Sequence, residues 1–263
     1  MVFETRPGAA QLLQEPSAET RAVPSATDFR IPRRVRLAPF ASLAMRGSLG
    51  SLGTSSSHPP MLVEPQTGLP YPADYCVFGT SNCPQLAGLG VRVKKILGLK
   101  NINIYALGIY VDSAAAKKAL GSKFKSLDKE TLANSQALLD EVLACESIEK
   151  TLRLVISFGA LKRSQFVEAL NERLAPGLKQ AGDEEVLERF KAQFDGATFS
   201  KGTEITFTQH GKQLVTKISG QQVGLLTSPS LSKALWDIYA GPDPVSPEAK
   251  ASFATTLASV IKD

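Results

Sequence analysis

The stretch "GVRVKKILGLKNINIYALGIYVD", residues 90–112, decides the fold. "GVRVKKIL" and "NINIYALGIYVD" are rich in β-branched and apolar residues and read as two strands. Gly98-Leu99 between them fits the Gly-X loop of a two-residue type II′ hairpin. With that loop Leu97 faces Lys100, and counting outward sets Arg92 opposite Tyr105. Directly opposed residues share a face, with Cβ atoms about 4.5–5.5 Å apart. A slip of one residue would put the two on opposite faces. Ile104, Ala106 and Gly108 then leave the other face small and apolar, suited to packing against helices.

A cation and a phenol side by side in an apolar strand pair have two meanings. One is a surface stack worth about 0.5–1 kcal/mol. The other is a guanidinium at the end of a cavity, with the phenol beside it, holding a carboxylate or a phenolate. Arginine suits that task because its donor fork is rigid and its charge survives desolvation. On spacing alone both remain open.

Beyond the hairpin, "SAAAKKAL" predicts a short helix and "KETLANSQALLDEVLA" a longer one. "KTLRLVISF" predicts a buried strand. "KRSQFVEALNERL" and "DEEVLERFKAQF" carry apolar residues at helical spacing, the second with acids in its first turn, where the helix dipole favours them. "TEITFTQ-HG-KQLVTKI" alternates about a His-Gly turn, a second hairpin. Ser228-Pro229 and Ser246-Pro247 each open a helix with a hydroxyl cap and a proline at the first position. Hairpins imply antiparallel pairing, so the expected class is α+β, one sheet covered by helices.

Residues 1–60 are a different material. Arg6, Arg21, Arg30, Arg33, Arg34, Arg36 and Arg46 face only Glu4, Glu15, Glu19 and Asp28, which supplies +3 of the net charge of +5. The Arg-rich, Ser-rich, acid-poor part after Phe29 has the composition of an organelle transit peptide. The domain from residue 61 to 263 is then nearly balanced, so the basic pI does not point to nucleic acid. No run approaches the roughly 18 apolar residues of a membrane span. Cys76, Cys83 and Cys145 lack metal-site spacing and only two histidines occur, which disfavours zinc. The cysteine usage fits reducing conditions. No phosphate loop, Rossmann glycine pattern or nucleophile elbow is present, and no cofactor or metal is expected.

"GLGVRVK" at Gly88–Lys94, followed by "IYALGIYVD", resembles the chalcone isomerase-like superfamily. "VEPQTGLPYP" before it, "FSKGTEITF" at Phe199–Phe207 and "SLSKALWDIYAGPDPVSPEAK" near the C-terminus agree. The resemblance spans roughly residues 62–263. It implies an open-faced β-sandwich, a large antiparallel sheet whose helical layer forms a ligand cleft. True chalcone isomerases close a flavanone ring by attack of a phenolate on its own enone. In that family an arginine holds the phenolate, while a threonine, a tyrosine and an asparagine polarise the ketone. The arginine matches Arg92. Tyr105 replaces the threonine, Lys162 or Arg163 stands where the tyrosine should be, and the asparagine falls on Leu170 or Asn171. Ser232 matches a last substrate contact.

Arginine plus second-strand tyrosine instead looks like the plastid fatty-acid-binding, non-catalytic branch. The resemblance implies a carboxylate held by Arg92 and Tyr105, a long-chain fatty acid or other small apolar acid as ligand, and an apolar cleft for the chain. Phe166, Leu170, Phe190 and Phe194 are candidates to line it. It also implies a plastid location, with mitochondrion as the alternative, and a monomer. A ring-closing lyase and a non-catalytic auxiliary protein are the competing functions.

Overall fold

The computed structural model describes residues 60–79, 83–96 and 100–263. The expected leader over residues 1–60 falls outside them except for Pro60, as does the Gly98-Leu99 turn.

A three-residue strand β1 (Met61–Val63) pairs with β2 (Pro70–Pro72). Their turn is tied by Glu64, whose buried carboxylate accepts from the backbone N–H of Gln66 (3.1 Å) and Thr67 (2.8 Å) and from the Thr67 hydroxyl (2.6 Å). Thus the "VEPQTGLPYP" motif is a self-satisfied turn. Then come β3 (Gln85–Ile96) and β4 (Lys100–Val111). Next are α1 (Ser113–Leu120), α2 (Lys129–Ala133), α3 (Gln136–Ala144) and β5 (Lys150–Ile156). They lead to α4 (Arg163–Ala181), α5 (Glu184–Ala192), β6 (Glu204–His210), β7 (Gln213–Ile218) and β8 (Gln221–Thr227). The chain closes with α6 (Pro229–Ala240) and α7 (Pro247–Lys262).

β3 to β8 form one antiparallel six-stranded sheet in sequence order. The helices cover one face, as α+β and the open-faced sandwich require. Tyr105, Leu107, Ile109, Leu152, Leu154 and Phe207 point into the helical layer. Ala106, Gly108 and Tyr110 point the other way, into a smaller cluster with Tyr71, Val91 and Val155. This corrects the expectation for the hairpin. The helices lie on the Arg92/Tyr105 side, and the small face exists because Tyr71 of β2 lies over Gly108, where a Cβ would meet its ring at 2.7 Å.

Three further expectations change. The long helix over "KETLANSQALLDEVLA" is two helices: Ser135 caps α3 by accepting from Leu138 N at 3.3 Å, which breaks the run. The second hairpin turns at Gly211-Lys212, with His210 still paired to Gln213; Gly211 supplies the left-handed backbone, φ 58°. Cys76 and Cys83 form a disulfide, against the expectation of reducing conditions; Cys145 is free.

Candidate functional site

Arg92 does sit opposite Tyr105. The route differs from the simple hairpin count. Ile96 pairs with Lys100, Lys94 with Ile102 and Val93 with Asn103, and then the register jumps so that Arg92 meets Tyr105. Ile104 is the extra residue of a β-bulge. Normal alternation would send it to the opposite face from Tyr105, but both side chains line one cavity on the helical side. The bulge therefore widens the floor of the site by one residue.

That cavity has a volume of about 360 Å³, within the range of small-molecule sites. Arg92, Tyr105 and Ile104 form one wall; Phe158, Leu161, Phe166 and Ala169 form an apolar wall at the start of α4; Lys94 and Lys95 stand at the mouth. Of the four apolar residues considered as lining, Phe166 alone lines this cavity. Leu170, Phe190 and Phe194 belong to the core beneath it, where Phe166 meets Phe194 edge-on at 5.7 Å.

Arg92 is half-buried, so it is not sealed at a closed end. Its Nη1 donates to the Tyr105 hydroxyl at a long 3.4 Å, and its guanidinium lies 5.7 Å from the ring centre. Among the described residues no carboxylate comes within ion-pair distance. Desolvation works against its charge, yet the oxygens of Tyr105 and Tyr239, with Glu172 farther off, outweigh it and hold its pKa above the ordinary arginine value. A guanidinium has five N–H donors, and among the described residues one is used.

Tyr239 is not among the sequence-based candidates. It lies at the end of α6, fully buried, with its hydroxyl 3.2 Å from that of Tyr105. Burial pushes its pKa well above the ordinary tyrosine value. Among the described residues its hydroxyl has no other partner, and leaving a buried O–H undonated costs about 1–3 kcal/mol. Either phenol can donate to the other; when Tyr239 donates, Arg92 donating to the same oxygen leaves the Tyr105 proton for the cavity. The floor presents donors and a positive charge.

The remaining site candidates lie elsewhere. Ser232, on α6, is buried with an unpartnered hydroxyl and lines a different cavity between α3 and α6, beside Asp140, Leu143 and Asp237. Lys162 is exposed, and Arg163 turns away to pair with Asp195 at 2.9 Å. Asn171 accepts from Lys191 at 3.4 Å, and Ala169 fills the cavity-facing position on that turn.

A family model described as "Chalcone isomerase like" matches residues 83–254. The chain belongs to the chalcone isomerase-like family. It is 32% identical over 229 residues to fatty-acid-binding protein 1 of Arabidopsis thaliana, covering 85% of this chain and 80% of that one. A chalcone–flavanone isomerase of Nicotiana tabacum is 29% identical over 196 residues, covering 70% and 79%. The crystal structure of an Arabidopsis thaliana fatty-acid-binding protein superposes with a TM-score of 0.70 at 31% identity, covering 78% of this chain and all of that one. The family's fold is thus the fold described above.

Proposed function

We propose that this protein binds a fatty acid without catalysis, its carboxylate held by Arg92 and Tyr105 and its chain against Phe158, Leu161, Phe166 and Ala169. The observation that carries the reading is the unanswered guanidinium. On the other face of the same sheet Arg153 is also withdrawn from water, but Glu204 meets it at 2.6 Å and the Pro70 carbonyl at 3.0 Å. Arg92 has one long bond to a phenol. A carboxylate supplies what is missing, and a bidentate one uses the fork and the Tyr105 hydroxyl together.

Ring closure of a chalcone requires donors aimed at a developing enolate in addition to the cation. Lys162, Arg163 and Asn171 lie outside the cavity; of the α4 residues that line it, Ala169 offers only a methyl group and Gln165 is held by the backbone N–H of Lys162 at 3.1 Å, which favours carriage over turnover. The similarity to fatty-acid-binding relatives in sequence and structure supports the same choice. The acid-poor, arginine-rich composition after Phe29 supports an organelle leader; we assign the protein to the plastid, with the mitochondrion as the alternative, on the family resemblance.

Native mass spectrometry of the purified protein tests the reading. The wild type is expected to carry a long-chain fatty acid. Arg92→Met is expected to lose it, and Tyr105→Phe to weaken retention about tenfold, the worth of one hydrogen bond to a charged group. Lipid content unchanged in Arg92→Met removes the assignment.

A further inference from the structure

The mouth of the cavity has a charge pattern that ligand binding alone does not use. Four stretches meet there: residues 92–96 and 100–105 of the first hairpin, 157–167 leading into α4, and 199–203 before β6. Together they contain no Asp or Glu. Lys94 and Lys95 line the mouth from β3. Lys162 follows Leu161 of the apolar wall. Lys201 lies against Gly159, its Cβ 3.6 Å from where a side chain there would begin. All four lysines are exposed, and among the described residues none has an ion-pair partner. Over the whole chain 30 basic side chains face 25 acidic ones, so four stretches without an acid are a local asymmetry; Glu172, farther along α4, is the acid that acts on Arg92. The four lysines stand at or beside the cavity that Arg92 lines. Phe158 of the apolar wall is half-buried at the same cavity.

We propose that this lysine rim docks the protein on an anionic lipid surface, with the cavity mouth facing the bilayer. The inference rests on the fatty-acid reading and extends it to the source of the ligand. A long acyl chain resides in membranes, so a carrier whose mouth opens on the bilayer spares the chain a passage through water. Lysines on flexible stems can reach phosphate head groups while apolar neighbours touch the interface. No helix among the described residues is long and apolar enough to cross a membrane, so this contact is peripheral. An acidic protein would meet the same charges; the bilayer is chosen because apolar side chains share the rim and because the cavity opens there.

Sedimentation of the full chain with vesicles tests it. One set is phosphatidylcholine alone, the other one-third phosphatidylglycerol. Binding to the anionic set is expected to be at least about tenfold tighter and to fall steeply with salt. Lys94→Glu with Lys162→Glu is expected to weaken it about tenfold. Lys117→Glu with Lys118→Glu, on the exposed side of α1, changes net charge equally and is expected to weaken it less than about twofold. The arginines of residues 1–60 are present in every variant, so their contribution cancels. Equal binding to both vesicle sets, or equal loss in both double variants, overturns the inference. Displacement of a fluorescent fatty acid in vesicle-free buffer separates the two claims. A protein that takes up fatty acid but ignores anionic vesicles loses only the docking surface. One that binds vesicles and no fatty acid loses the proposed function.

Discussion

Arg92, Arg153 and Lys150 are long cations drawn in from the surface, and their partners set what each can do. Arg153 is answered by Glu204 and stacks on Tyr71, 4.7 Å from the ring centre; it is a finished network. Arg92 is unfinished and faces a cavity. Lys150 is the third case. It is fully buried, and its ammonium donates to the carbonyls of Cys145 (2.9 Å) and Ile148 (3.1 Å). Burial brings its pKa down to about 8, with Cys145 and Glu146 pulling weakly the other way. The unfolded chain keeps this proton up to the ordinary lysine value of 10.5. Below pH 8 both states are charged and the whole cost of burying the cation is present. Between about 8 and 10.5 unfolding takes up a proton, so this residue's contribution to stability improves as pH rises. From about pH 7.5 to 9.5 the wild type is expected to gain about 2 kcal/mol relative to Lys150→Met, read from urea unfolding of both proteins. Parallel pH profiles would show that the buried ammonium is not destabilised.

At the scale of elements, the site depends on one irregularity and one close approach. Pairing of Arg92 with Tyr105 was reached by counting out from a two-residue loop, and the structure arrives at the same pair by another register. The bulge at Ile104 was not legible, since nothing in "NINIY" marks an extra residue; the one-residue offset of the Ile96–Lys100 pair and the bulge cancel at Arg92. Tyr239 was missed because its partner lies 134 positions away, beyond any local pattern. Ser135 was a readable helix start that the apolar run around it concealed. The glycines of "GLG" were read as a family landmark, and their physical role is contact. α7 lies so near β3 that a Cβ on Gly88 would meet the Ala249 carbonyl at 2.7 Å and the Phe253 Cβ at 2.9 Å. Helix backbone cannot swing aside as a side-chain end can. Gly88→Ala is therefore expected to destabilise the protein by about 1–3 kcal/mol, seen as a lower urea midpoint with an unchanged slope. An unchanged midpoint would mean that the helix shifts freely along the sheet.

At the scale of the whole molecule, an unpaired, half-buried cation costs stability that a ligand can return. Removing Arg92 and adding a fatty acid should therefore act on the same free energy from opposite sides. A ligand at about a hundred times its Kd adds about 2.7 kcal/mol to the folded state. In a domain of this size that raises Tm by about 5–10 °C. The wild type, stripped of lipid and then given a long-chain fatty acid, is expected to show that rise in a thermal melt. Arg92→Met replaces the cation with an apolar chain of similar reach. Stripped of lipid it is expected to melt no lower than the stripped wild type, and to respond to fatty acid by less than about 2 °C. A large fall in the melting point of the empty variant would mark Arg92 as part of the structural frame. An equal response of both proteins would place the carboxylate somewhere other than the Arg92–Tyr105 wall, since the ligand would then be gaining its affinity without the one charge that the cavity offers it.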